Sequence, residues 1–533
     1  MSTRPGPAAD RGGVAADAEK LVAGLLRDPW GRVAPSVYES ARLITLAPWL
    51  TGHAERLRFV LAAQRADGGW GPPGGYALVP TLSAVESLLT VLRADEAGSP
   101  PAVRRTEVLA SVERALVTLG GWLGDEGPNV PDTPAVDLIV PALVEAINVR
   151  LDRLPADSLT PQARTPLGLP RGMGGDRLVG VRRLIASGAR VPAKLAHSFE
   201  VVGAAAGAPP GVGPGRLGTV GASPAATAAW IAVAGAARGA RSHLRELALR
   251  QGGPVPCPIP ITVFERAWVS SGLARVGIPL RARRELVESL TAALGPTGAS
   301  TGPGLPTDAD TTSVTLYALG HLGAPVAPES LWGYDTGGHF ATWPGEDGAS
   351  VTTNAHVLDA FGQHLATRPA AESRYAAVVH RLSGWLRDQQ RADGAWHDRW
   401  HASPYYATAC AVLALHEYGR GPALAQAVDR AVDWVLGSQR PDGSWGRWSG
   451  TAEETAYALH VLLGLGRSTR GRLAEAVRGG RAYLRRTAGR QPQTALWHGK
   501  ELYAPAAIVE SVTLAALHLA ASRAELESSA APF

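Results

Sequence analysis

Internal repetition constrains this chain more than any other feature it carries. In the C-terminal half, five apolar segments (311–323, 352–361, 406–419, 454–466 and 508–521) begin 41 to 54 residues apart, each rich in Ala and Leu and almost uncharged. A helix without a polar face has to be enclosed by protein. Between these segments run stretches such as 375–387 and 424–436, with arginines and acids on one side. Alternating enclosed and half-wet helices predict an α/α barrel, an inner apolar ring inside an outer amphipathic one. Segments 80–92, 136–147, 224–234 and 264–277 show the same habit less regularly, so the expected fold is all-α with two α/α barrels. No stretch keeps strand-type alternation long enough to argue for a sheet. The Gly/Pro/Thr-rich stretch 295–306 reads as a linker or an active-site loop.

A second repeat lies in the loops. Gln64-Arg65-Ala66-Asp67-Gly68-Gly69-Trp70 returns as Gln390-Arg391-Ala392-Asp393-Gly394-Ala395-Trp396 and as Gln439-Arg440-Pro441-Asp442-Gly443-Ser444-Trp445. The Asp-Gly pair specifies a tight turn, after which the Trp can pack under the next helix while the Gln hydrogen-bonds its start. This pattern is a structural staple and not chemistry.

A chain of 533 residues calls for more than one core. Residues 1–15, rich in Pro, Gly and Ala, read as disordered and lack the apolar centre of a signal peptide. The apolar stretch 224–237 falls short of the roughly 20 residues that cross a bilayer, so stable membrane insertion is not expected. Cys257 and Cys410 have no metal-ligand spacing, which fits a reducing cytoplasm. The net charge is +5, but the arginines are scattered among acids without a basic run, which argues against nucleic acid as a partner. Of 52 basic residues three are lysines, Lys20, Lys194 and Lys500. In a chain so biased towards Arg, a lysine marks a place where a compact, mobile charge is useful. The sequence leaves the oligomeric state open.

Gln-x-x-Asp-Gly-x-Trp turns on an α/α barrel resemble the QW motifs of triterpene cyclases and class II diterpene cyclases. Segments 67–89, 194–200, 223–230, 264–268, 353–357 (Thr-Asn-Ala-His-Val), 401–406 and 499–503 (Gly-Lys-Glu-Leu-Tyr) carry the likeness along nearly the whole chain. The resemblance implies a β barrel built from residues 16–52 and 291–533, with a γ barrel, 53–290, inserted between them.

The segment Pro306-Thr307-Asp308-Ala309-Asp310-Thr311-Thr312 opens the first of the five apolar helices. By themselves, two carboxylates at a helix start are cap and dipole partners worth about 0.5–2 kcal/mol. Beside the QW turns, they resemble the family's Asp-x-Asp-Asp acid, whose middle Asp protonates an alkene. That implies Asp310 as proton donor and Asp308 as its neighbour, with Thr311 where the family has a third Asp. An alkene is a very poor base, so the donor must be a neutral carboxylic acid. Burial and a nearby like charge keep it protonated above its usual pKa of about 3.9. The resemblance further implies that Asn354 hydrogen-bonds the acid's other oxygen and that Lys194, Lys500 and Arg399 hold the diphosphate. It places His197 at the final deprotonation, although the partner Asn of plant copalyl cyclases falls here on Cys257. It also implies Mg²⁺, with Glu145 as ligand.

No magnesium motif for ionising the diphosphate is present, so that group is expected to stay attached. The Asp-x-Asp-Thr-Thr variant resembles bacterial class II sesquiterpene cyclases. It implies farnesyl diphosphate as the prenyl diphosphate substrate and a bicyclic drimane-type (drimenyl) diphosphate as product. The alternative is a class II diterpene cyclase that makes a copalyl-type diphosphate from geranylgeranyl diphosphate. A squalene-type hydrocarbon cyclase or a non-catalytic α/α toroid accounts for fewer of these residues.

Overall fold

The computed structural model of the chain describes residues 7–28, 30–96, 103–124, 127–202, 209–235, 237–281, 283–368, 373–466, 470–489 and 493–529. In the C-terminal barrel, the helices Thr262–Arg275, Ala309–His321, Val351–Thr367, Pro404–Tyr418, Ala452–Gly464 and Ala506–Ser529 each pack on the next, and the last returns to the first. Their apolar composition is satisfied by enclosure. In Val351–Thr367 every residue from Val351 to His364 is buried. Outside the ring lie Arg283–Ala293, Ser373–Asp388, Pro422–Gly437 and Gly471–Thr487, while Pro7–Arg27 covers the junction of the last and first ring helices.

A second ring is formed by Val37–Leu46, Leu78–Glu96, Val136–Leu151, Phe199–Val202 and Pro224–Ala234. His53–Ala62, Arg105–Trp122 and Asp176–Ala186 pack outside it, while Arg238–Arg250 packs on Pro224–Ala234 with its buried Ala240, Leu244, Leu247 and Ala248 in the core of the C-terminal barrel. The apolar stretches Gly74–Arg93 and Ala506–Arg523 are long enough to cross a membrane, but both belong to these rings. A two-residue hairpin, Trp497–His498 with Leu502–Tyr503, is the sheet among the described residues.

Packing moves the boundaries read from the sequence. Thr262–Arg275 and Arg283–Ala293, expected in the 53–290 unit, complete the C-terminal barrel. Val37–Leu46, expected with 16–52, is shared. Tyr38, Ala41 and Ile44 enter one core, and Leu43 with the following Ala47 and Leu50 enters the other. A helix apolar on opposite faces can join two barrels, and its sequence does not say which one claims it. The segment 295–306 accordingly links an outer to an inner helix of one barrel. Part of the stretch read as disordered is also ordered, since Pro7–Arg27 is a helix. Its Val14, Ala18, Leu21, Val22 and Leu25 form a helically spaced stripe buried in the C-terminal core. Residues 1–6 lie outside the described residues.

The three repeated turns share one set of hydrogen bonds. Trp70, Trp396 and Trp445 are fully buried. Each indole N–H donates to a carbonyl ten residues back, Val60, Leu386 or Val435, at 2.6–2.7 Å. Each backbone N–H donates to a threonine hydroxyl on the next ring helix, Thr81, Thr408 or Thr455. Gln64, Gln390 and Gln439 donate both to their own turn and to the following outer helix. Each turn therefore stitches an outer helix to the next hairpin of the barrel.

Candidate active site

Asp308 is the N-cap of Ala309–His321, its Oδ1 accepting the Thr311 N–H at 2.6 Å. Burial pushes its carboxyl up to about 7. The Thr311 N–H opposes that rise and the Asp310 charge adds to it. Two residues on, Asp310 Oδ1 meets His356 Nδ1 at 2.6 Å. Its side chain is 15% exposed, and its other oxygen has no hydrogen-bond partner among the described residues. Burial alone would lower the His356 pKa, but the Asp310 carboxylate and then the Cys410 thiol hold it well above the usual range. An imidazole that donates to one oxygen of Asp310 draws electron density from the carboxyl, making a proton on the other oxygen more acidic.

The family resemblance implies this polarising role for Asn354. In the structure the Asn354 amide is fully engaged elsewhere: Oδ1 accepts the Phe340 N–H at 2.8 Å, while Nδ2 donates to the carbonyls of Phe340 and Ser350. Residues two apart on a helix point about 200° from one another, so Asn354 and His356 face opposite ways and one of them can reach Asp310. His356 stands in the same Thr-Asn-Ala-His-Val segment, where the available signal is a second polar side chain two residues from Asn354. Thr311 contributes its backbone N–H, and its hydroxyl lies 3.2 Å from that of Thr301.

Around the acid stands a wall of rings from separate elements. Trp268 donates its indole N–H to the Tyr406 hydroxyl at 2.9 Å and meets His356 edge-on at 5.4 Å. Tyr406 lies 4.8 Å from Trp497 and 5.0 Å from Tyr457, and Phe264 lies 4.3 Å from Trp268. All five rings are buried. When Asp310 carries its proton, this polarised acid beside buried aromatic rings can protonate an alkene, and the π faces can then hold the carbocation.

Residues 346–502 match the family model Squalene-hopene cyclase C-terminal domain. The chain is 42% identical to ent-copalyl diphosphate synthase of Streptomyces sp. (strain KO-3988), over 97% of this chain and 98% of that protein. It is 43% identical to labda-7,13-dienyl diphosphate synthase of Streptomyces clavuligerus, over 96% and 94% respectively. The solved structure of ent-copalyl diphosphate synthase from Streptomyces platensis superposes with a TM-score of 0.88 at 42% identity, covering 95% of this chain and 99% of that one. The chain belongs to the class II terpene cyclases. It is accordingly an isomerase-type enzyme, and its relatives are named for diphosphate products.

The three cations expected at the diphosphate sit in different settings. Lys500 is buried and donates to Glu39 at 2.8 Å, Glu200 at 2.7 Å and Ser223 at 2.7 Å. Burial opposes its charge, but the two carboxylates hold it well above the usual lysine pKa. That geometry is a structural ion cluster between the barrels. Arg399 is paired with Asp132 at 2.5 Å and Glu346 at 2.9 Å, across loops of the two barrels. Lys194 is exposed on the short helix Ala193–Ser198. His197 Nδ1 lies 2.6 Å from the Gly221 carbonyl; a carbonyl only accepts, so Nδ1 carries the proton and Nε2 a lone pair. Burial, then the Lys500 charge, lowers its pKa to about 4, so the ring is neutral at physiological pH. Cys257, in place of the plant Asn, is buried beside the Ala222 carbonyl. Glu145 does not fit a magnesium ligand. It is exposed on the outer side of Val136–Leu151 and paired with Arg182 at 2.8 Å. Among the described residues no three His, Cys, Asp or Glu side chains group as a metal site.

Proposed function

We propose that this cyclase converts geranylgeranyl diphosphate to a bicyclic copalyl-type diphosphate, keeping the diphosphate attached. The observation that carries the reading is the end-to-end likeness to enzymes named for copalyl and labdadienyl diphosphates, which are bicyclic C20 products. It replaces the C15 expectation, which rested on Thr311. That residue sits at the acid end of the site, packed on Asp308 and Thr301, whereas substrate length is measured from the acid to the diphosphate.

In this reading Asp310 gives its proton to the terminal alkene, and the π pair forms the new C–H bond. Two ring closures then exchange π for σ bonds, and loss of a proton beside the last cation restores an alkene. His356 holds and acidifies Asp310. Asp308, whose carboxyl burial pushes up to about 7, carries less negative charge beside Asp310 than an ordinary Asp would. His197, with Nε2 unprotonated, is the proposed acceptor of the last proton, directly or through water. Lys194 and Arg399 are the proposed diphosphate contacts. Dependence on Mg²⁺ belongs to the proposal without an assigned ligand, and chelation followed by Mg²⁺ add-back tests it. The two unpaired cysteines suit a cytoplasmic enzyme.

Competition between geranylgeranyl and farnesyl diphosphate at equal concentration, followed by phosphatase and gas chromatography, tests substrate length. Geranylgeranyl diphosphate is expected to show the higher kcat/KM. The reverse order would restore the drimane-type reading. Stoichiometric release of pyrophosphate would overturn both.

A further inference from the structure

Across the aromatic wall from Asp310 and His356 stands a second carboxylate–imidazole pair. Glu453, in the first turn of Ala452–Gly464, is 2% exposed. Its Oε1 accepts the Trp497 indole N–H at 2.8 Å and lies 3.3 Å from His401 Nε2. His401 Nδ1 accepts the Ser403 N–H at 3.0 Å, so the ring proton sits on Nε2 and points at Glu453. The other oxygen, Oε2, is buried without a hydrogen-bond partner.

Several other deeply buried carboxylates have full cations, while Asp308, Glu265 and Glu454 are held by backbone N–H and hydroxyl donors. Glu39 and Glu200 share Lys500, Glu86 has Arg42 and Arg150, and Asp359 has Arg275. Among the described residues Glu453 pairs with no Lys or Arg, its partner being the imidazole of His401. A buried carboxylate lacking a cation is costly, and a fold that keeps one needs a reason. Its neighbours indicate which positive charge it awaits. Trp497, which donates to it, contacts Tyr406 at 4.8 Å, Phe264 at 5.4 Å and Trp268 at 6.5 Å, the rings that enclose Asp310. His401 itself lies 4.6 Å from Tyr406, the two rings tilted by 39°.

Taking the class II reading as its basis, we propose that Glu453, held by His401, is a buried anion backing the aromatic wall. Acting through Trp497 and Tyr406, it steadies the carbocation during ring closure. An indole that donates its N–H to a carboxylate gains electron density on its π face, and among buried rings that charge is little screened. Proton source and anion therefore stand on opposite sides of the same rings, so positive charge created at Asp310 is drawn along the wall. Glu453 takes no proton in this role. The alkene receives its proton from Asp310, each closure turns a π bond into a σ bond, and the terminal C–H pair becomes the final alkene as its proton leaves to His197 or water.

Glu453→Gln keeps the shape and the acceptor for Trp497 but removes the charge. With geranylgeranyl diphosphate, this variant is expected to lose about 100-fold in kcat while KM stays within about threefold. Its dephosphorylated products should shift from one bicycle to monocyclic and water-trapped alcohols. It should melt no lower than the wild type, because an uncompensated buried charge is gone; a structural role would lower the melting temperature. Trp497→Phe should give the same early-quenched products, and the double variant should be no worse than Glu453→Gln, since both act by one route. A wild-type product ratio with kcat within about threefold, in Glu453→Gln or, if that variant does not fold, in Trp497→Phe, overturns the inference. Failure of the wild type to cyclise a prenyl diphosphate with the diphosphate retained would overturn the class II reading instead.

Discussion

Asp310 and His356 act together on one proton, and their separation from Asn354 by a half-turn of helix gives each residue a different expected phenotype. Asp310→Asn should abolish cyclisation with unchanged circular dichroism; measurable turnover would refute the assignment. His356→Phe keeps ring volume but removes the donor to Asp310, and kcat is expected to fall by about 10²–10³. Asn354→Ala should act first on stability, losing about 1–3 kcal/mol in chemical denaturation as the Phe340 and Ser350 backbone loses its partner. Asp308 makes a pH prediction. Its folded pKa of about 7 exceeds the ordinary 3.8, so the native state keeps a proton that the unfolded chain has released. Its contribution to stability is therefore lost as pH rises from about 4 to about 7. Asp308→Asn retains an N-cap oxygen and removes the titration. Its melting temperature relative to wild type should climb across that window, and a flat difference would contradict the assignment.

At the level of elements, the three QW turns are the joints of the barrels. Gly394 has φ +96°, and a Cβ there would lie 2.6 Å from the Arg430 carbonyl on the following outer helix. Gly68 and Gly443 repeat the arrangement against Arg114 and Gly479. Glycine is thus required by both conformation and close approach. Trp396→Ala removes a fully buried ring and its bond to Leu386, and should cost about 3–5 kcal/mol in equilibrium unfolding. Because the turn lies outside the acid's contacts, activity measured well below the melting temperature should fall much less than for His356→Phe.

For the whole molecule, the ion cluster around Lys500 joins the two barrels. Glu39 comes from Val37–Leu46, Glu200 from Phe199–Val202 and Ser223 from the cap of Pro224–Ala234, while Lys500 is supplied by the hairpin of the C-terminal barrel. The Tyr38 hydroxyl donates to Glu200 at 2.6 Å and completes the knot. Lys500→Ala leaves two carboxylates buried without their cation, and a loss of about 3–5 kcal/mol is expected. A raised KM with undiminished stability would instead return Lys500 to the diphosphate.

The sequence by itself determined the all-α fold, the inner and outer helices, the staple turns and the acid pair, because these are written in local patterns. Apolar composition demands enclosure, Asp-Gly demands a turn, and adjacent carboxylates stay adjacent in any fold. It could not assign Val37–Leu46 or Thr262–Arg275 to a barrel, since an apolar face is satisfied equally by either core. Nor could it choose His356 over Asn354, because the choice turns on which face of one buried helix meets Asp310. Lys500 stands out in the sequence for its rarity, yet its two partners lie 461 and 300 residues away in the chain. Tertiary structure alone brings those charges together and leaves Glu453 without a cation, because electrostatic partnership depends on distance in space.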